Sequence, residues 1–235
     1  MTEVERGEYF YASKDALFNE IRHQIVEEIE VGLRERERFA LALCGGRTPA
    51  PLFRTLSKVN LDWGRVDVHM VDERWVCRDH EASNEKMLRV SLFRNRGARA
   101  KLMPLPPREL STEEAALHHN RRLIGQPWNL DLTLLGMGED GHVASIFPGD
   151  SKSNRVIAGE TTGVYCATEA PSGYRERVGL SYAGLLGSSR ILLLITGDLK
   201  RDLYCAGVPN DQGKWLPVHH LMNQRKVPLT VFWAP

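Results

Sequence analysis

Residues 131–149, DLTLLGMGEDGHVASIFPG, decide how the chain is read. The apolar run 132–135 is short and bounded, as a buried strand is. It empties into Gly136, Gly138 and Gly141, and then brings Asp140 and His142 close together. A strand end fixes position, glycine lets another group approach the backbone, and histidine titrates near neutral pH. The combination predicts a strand end that does chemistry. Gly136-x-Gly138-x-x-Gly141 also fits the spacing of a dinucleotide-binding loop, but that loop must open directly into a helix. Here Pro148-Gly149 cuts off any helix after about two turns. The glycines are therefore read as clearing space around His142.

Outward from this strand, apolar runs alternate with helical stripes. A first strand is expected over 9–12, then a helix over 14–33 with Ser13 as N-cap. In that helix Leu17, Ile21, Ile25 and Ile29 recur every fourth residue as one buried stripe. Strands are expected over 39–43 and 66–70, the latter leading into Asp72-Glu73-Arg74. Another helix starts at about Pro49, and others cover 84–93 and 112–124. The remainder reads as strand 164–168, helix 178–186, strand 191–195, helix 198–206 and strand 229–233. Strands alternating with helices predict an α/β fold: a mostly parallel, open twisted sheet in a three-layer α/β/α arrangement, with helices on both faces. With no linker and no internal repeat, one domain over 1–235 is expected. In such sheets ligands sit outside the carboxyl ends of the strands, near the switch point.

The totals exclude several classes. At 235 residues the chain can bury a sizeable core. A net charge of +1 without a basic block argues against a nucleic-acid partner while leaving small anions open. No run approaches the roughly 18 apolar residues of a membrane helix, so no membrane partner is expected. The polar start, MTEVERGEYFYASKD, lacks the apolar core of a signal peptide. Cys44, Cys77, Cys166 and Cys205 form no CxxC pair and read as free thiols in a reducing cytoplasm. The neighbouring pairs His118-His119 and His219-His220 do not share a helix face, so no metal site is expected from them.

Four strand ends carry unusual chemistry. Gly45-Gly46-Arg47-Thr48-Pro49 lies between a strand and a helix start, where free N–H groups, the Thr48 hydroxyl and the forked Arg47 cation can hold an anion. The alternative is a tight turn with a capping threonine. Asp72-Glu73-Arg74-Trp75 follows a strand. Arg74 can bind a phosphate or polarise a carbonyl, and Asp72 can orient a base or hold Arg74; the alternative is a surface ion-pair cluster. The strand at 191–195 ends near Lys200. His142 is the general-base candidate, with Asp140 placed to orient it. Ser145 lacks a nucleophile-elbow setting and reads as a cap or packing serine.

Four segments together resemble one family: CGGRTPAPLFRTL, VDERWVCRDHEASNEKML, LLGMGEDGHVASIFPG and PLTVFWAP. They are similar to the 6-phosphogluconolactonases, in the superfamily shared with glucosamine-6-phosphate isomerase/deaminase. The resemblance implies a single Rossmann-like domain of the sugar-phosphate isomerase type. It further implies hydrolysis of a 6-phospho-gluconolactone in the cytoplasm, without metal or cofactor, by a monomer or small homo-oligomer. It assigns His142, Asp140, Arg74 and Asp72 to catalysis. It assigns Gly45, Gly46, Arg47, Thr48, Arg74, Lys200, Asn84 and Gly138 to substrate and phosphate binding. Cys44 and Arg47 depart from serines that the family often carries, which makes Arg47 a weaker assignment than Thr48. Two rivals remain. A deaminase would continue after Gly141-His142 with Asn-Glu-Pro, whereas this chain has Val143-Ala144-Ser145. A non-catalytic sugar-phosphate sensor would keep the phosphate loop and lose the base.

Overall fold

The computed structural model describes residues 6–125, 128–161, 163–207 and 215–235; the first five residues of the polar start lie outside these. In chain order the elements are β1 (Arg6–Phe10), α1 (Lys14–Glu35), β2 (Phe39–Leu43), α2 (Ala50–Leu56), β3 (Val66–Met70), β4 (Asp72–Arg74), α3 (Asn84–Ser91), β5 (Lys101–Leu102), α4 (Thr112–Arg122) and β6 (Leu132–Gly136). They continue with α5 (Ser151–Ile157), β7 (Tyr165–Glu169), β8 (Glu176–Leu180), α6 (Tyr182–Leu185), β9 (Ile191–Thr196), α7 (Asp198–Ala206), α8 (Pro217–Asn223) and β10 (Leu229–Ala234).

Seven strands form one parallel sheet in the order β1-β10-β9-β6-β2-β3-β5. Its central strands are buried almost throughout, which is why FALAL, LTLLG and ILLLIT read as continuous apolar runs. Helix α1 forms as expected: the Ser13 side chain accepts from the Ala16 N–H, and Leu17, Ile21, Ile25 and Ile29 are fully buried. Burial of each such side chain contributes about 1.5–3 kcal/mol gross. Gly32 on the same face lets the Phe39 ring pack where a Cβ would otherwise stand, 2.6 Å away.

The chain runs outward from β2 through β3 to β5, returns to β6 beside β2, and then runs the other way through β9 to β10. The switch point therefore falls between the carboxyl ends of β2 and β6. These are the two strand ends that carry the glycine-rich segments.

The structure corrects the reading at 178–186. VGLSYAGLL is not one helix: β8 ends at Leu180 and the short α6 begins at Tyr182, with Ser181 accepting from the Gly184 N–H as its cap. Strands β4, β8 and β7 form a separate antiparallel sheet. The first strand lies at 6–10 rather than 9–12. Pro49 caps α2 rather than starting it, and helices α5 and α8 lie in stretches where no element is expected from the sequence. Among the described residues no helix is long and apolar enough to cross a membrane.

Candidate active site

Beyond β6 the backbone folds back on itself. Met137 and Val143 form an antiparallel bridge, and the Gly138 N–H donates to the His142 carbonyl at 2.9 Å. No helix follows the glycines, so the dinucleotide geometry is absent. Gly141 has φ +78°, which turns the loop. Gly138 serves a different purpose: a Cβ there would stand 2.2 Å from Cε1 and Nδ1 of His142 and 2.6 Å from Asp140 Oδ1. The imidazole lies directly against the Gly138 backbone.

His142 Nδ1 is 2.6 Å from Asp140 Oδ1, and the same oxygen accepts the His142 backbone N–H at 3.2 Å. Burial opposes ionisation of Asp140, but the hydrogen bond and charge of His142 outweigh it and hold the carboxyl below its ordinary value. An ionised carboxylate at Nδ1 selects the tautomer with its proton there, which leaves Nε2 as the acceptor on a ring that lines the pocket. Phe147 packs against the ring, with centroids 4.6 Å apart.

The segment 72–74 is a strand, so its side chains alternate. Asp72 and Arg74 face the pocket, and Glu73 points into the protein. There the fully buried Glu73 carboxylate accepts from the N–H groups of Arg74, Asn84 and Glu85, from the Ser83 hydroxyl and from Arg108. Burial pushes its carboxyl up against the pull of these donors. Glu73 thus anchors the start of α3 and places Asn84, whose Nδ2 donates to the Asp72 carbonyl at 2.8 Å. Among the described residues no donor reaches the buried Asn84 Oδ1. Its amide occupies the space where a Cβ on Gly45 would be, which is the physical reason for glycine there. Asp72 also accepts the Ser145 hydroxyl at 2.6 Å, so the buried Ser145 supports this carboxylate.

Strand pairing sets Arg74 directly opposite Arg177. Arg74 donates to the Ala82 carbonyl at 2.8 Å. Arg177 donates to the Tyr174 carbonyl at 2.8 Å, lies 3.7 Å from Asp72 and sits over the Phe147 ring. Burial lowers the Arg177 pKa and Asp72 works against that, with the group still charged at any working pH. Two guanidinium groups paired across neighbouring strands line the recess, as does Lys200 from the first turn of α7. Arg177 was missed because the helix read at 178–186 left it in a loop. Gly179 and the capping Ser181, both poor helix-interior residues, were the signal that could have exposed β8.

The pocket encloses about 230 Å³ and brings together Gly45, Gly46, Thr48, Asp72, Arg74, Asn84, Gly138, His142 and Lys200, with Arg177 and Cys44. Asp140 stands behind His142. Arg47 does not line it and faces a neighbouring groove instead. Helix α2 has only seven residues, and Pro49 and Pro51 carry no N–H, so the backbone on this side of the pocket is that of the loop at 45–48 rather than a helix end. Burial, with the Asp72 charge adding to it, pushes the Cys44 thiol up to about 12, so it is a neutral wall atom. The volume lies below the roughly 300–1,000 Å³ of drug-sized ligand sites and suits a small polar anion better than a dinucleotide.

A doubly wound parallel sheet with a cation-lined recess and a carboxylate-held histidine at its switch point defines the class: an α/β protein with a ligand pocket at the carboxyl ends of its strands. Residues 12–233 match the family described as glucosamine-6-phosphate isomerases/6-phosphogluconolactonase, and the chain belongs to it. It is 32% identical over 212 residues to the 6-phosphogluconolactonase of Pseudomonas aeruginosa, covering 90% of this chain and 88% of that one. It is 28% identical over 227 residues to that of Rhizobium meliloti, covering 97% and 98%. The crystal structure of a 6-phosphogluconolactonase from Shewanella baltica superposes with a TM-score of 0.89 at 30% identity, covering 100% of this chain and 99% of that one.

Proposed function

We propose that this chain acts in the cytoplasm as one domain that hydrolyses 6-phospho-D-glucono-1,5-lactone to 6-phospho-D-gluconate, the second step of the oxidative pentose phosphate pathway. The observation that carries this reading is the pairing, in one recess, of a carboxylate-held imidazole with a cluster of three cations. The phosphate is held by Arg74, Arg177 and Lys200, with the Thr48 hydroxyl and the Gly45 and Gly46 N–H groups. Asn84 Oδ1, a buried acceptor lacking a donor, is available to a sugar hydroxyl. This anchorage aligns C1 with His142.

A lactone carbonyl is already electrophilic, so activated water suffices as nucleophile. His142 Nε2 takes a proton from water as the oxygen bonds to C1. Asp140 stabilises the resulting imidazolium. The oxyanion formed on the carbonyl oxygen is stabilised by N–H groups or a guanidinium at the pocket wall. It then collapses, the C1–ring-oxygen bond breaks, and the imidazolium proton passes to the departing alkoxide. The products are the free carboxylic acid and a hydroxyl.

The deaminase reading is not favoured. The turn at 143–146 spends Ser145 on Asp72, and Asp72 is the one carboxylate among the described residues that line the pocket. His142→Ala, assayed on freshly made lactone, is expected to lose about 10²- to 10⁴-fold in kcat above the spontaneous rate. Turnover near that of the unaltered protein would remove His142 from the base role.

A further inference from the structure

Beside the pocket lies a wider groove of about 740 Å³, which shares Gly46, Arg74, Asn84 and Arg177 with it as a common wall. The groove adds two arginines that the pocket lacks: Arg47, from the loop after β2, and Arg54, about one turn along α2. Both are exposed, and among the described residues neither guanidinium has a hydrogen-bond or ion-pair partner. The acid on this wall, Glu81, is already paired with Lys86, which holds its carboxyl low. Four guanidiniums thus line the groove, two of them shared with the recess, and among the described residues the charge of the two unshared ones is uncompensated. The groove is about three times as roomy as the pocket, so it suits passage rather than tight retention.

We propose that Arg47 and Arg54 form an electrostatic antechamber, which gathers the doubly charged sugar-phosphate lactone and delivers it to Arg74 and Arg177. This rests on the lactonase reading above and deepens it. Clefts lined by one sign of charge raise the local concentration of an oppositely charged ligand and speed its capture. Fast capture matters for a lactone that opens spontaneously in water. Arg47 therefore contributes through its charge at a distance and not through contact with the bound phosphate.

The test measures kcat and KM on fresh lactone, corrected for spontaneous opening, at ionic strengths from about 10 mM to 500 mM, over which the Debye length falls from about 30 Å to a few ångströms. Three proteins are compared: the unaltered chain, Arg47→Gln/Arg54→Gln and Arg47→Lys/Arg54→Lys. Thermal melts verify that these surface changes leave the fold intact. The glutamine pair is expected to lose about tenfold in kcat/KM at low salt with kcat unchanged, and less than about twofold at high salt. The lysine pair, which keeps the charge, is expected to stay within about twofold throughout. The proposal is overturned if the glutamine pair matches the unaltered chain at low salt. It is overturned equally if the loss is the same at every salt concentration, or if lysine fails as badly as glutamine. Each of those results leaves the lactonase reading standing. An unaltered chain without turnover above the spontaneous rate would sink that reading and this one together.

Discussion

Replacing Gly138 by alanine inserts one methyl group at the point where the His142 ring meets the backbone. Gly138 does not have a positive φ, so alanine adopts its conformation without strain. The new Cβ would stand 2.2 Å from Nδ1 and Cε1 of the ring and 2.6 Å from Asp140 Oδ1. Carbon contacts settle at about 3.5 Å, so the imidazole must move by about 1.3 Å or the Asp140 pair must break. Misplacing a catalytic group by about 1 Å costs on the order of 10²-fold in rate. His142 and Asp140 are partly exposed, with side chains 31% and 39% accessible, so the ring can swing outward and stability is expected to change by less than about 1 kcal/mol. The assay is initial-rate hydrolysis of fresh lactone alongside a denaturant melt. A kcat lowered about a hundredfold in a protein of unaltered stability is the expected result. Full activity would refute the claim that the ring is held against the Gly138 backbone. A collapse in stability would show that the loop is part of the folding core instead.

Two further outcomes follow from groups away from the chemistry. His69 and His119 have their pKa values lowered to about 4, chiefly by burial, against about 6.5 in the unfolded chain. The fold therefore favours their neutral forms, and stability that is full above pH 6.5 is lost as pH falls from there toward 4. Each histidine is expected to cost about 1.3 kcal/mol between pH 7.5 and 5.5. His119→Phe, which keeps the stack on Tyr165, should remove about half of that slope in urea titrations, and an unchanged slope would reject the assignment. Glu73→Ala strips the acceptor from five donors and leaves Arg108 without its 3.1 Å partner, so a loss of about 3–5 kcal/mol is expected in the same titrations; a loss below about 1 kcal/mol would show that the Glu73 cluster does not anchor α3.

Much of the architecture was legible in the chain because it is written in local pattern. The stripe Leu17, Ile21, Ile25 and Ile29 has one period and one meaning. The runs FALAL, LTLLG and ILLLIT are apolar throughout because those strands are covered on both faces. His142 and Asp140 were legible for the same reason, since both lie within a few residues of a strand end. What was missed depends on pairing at long range. Asp72-Glu73-Arg74 reads as three charged residues until β4 is known to be a strand; only then does alternation send Glu73 inward and its neighbours into the pocket. Arg177 was invisible because VGLSYAGLL satisfies helical and extended readings alike, and pairing with β4 decides between them. Arg47 was placed in the anion site by sequence adjacency, whereas the chain turns at Gly46, at φ +99°, and sends it to the neighbouring groove.

The pairing of Arg74 with Arg177 has a consequence for how the protein matures. The two guanidiniums belong to strands about a hundred residues apart, and contacts of such separation form late because loop closure must come first. The Asp140–His142 pair is local to one turn, whereas the Arg74–Arg177 pair needs β4 and β8 to meet. During refolding, recovery of turnover should therefore lag behind recovery of secondary structure. The paired guanidiniums are therefore complete only once that long-range pairing has formed.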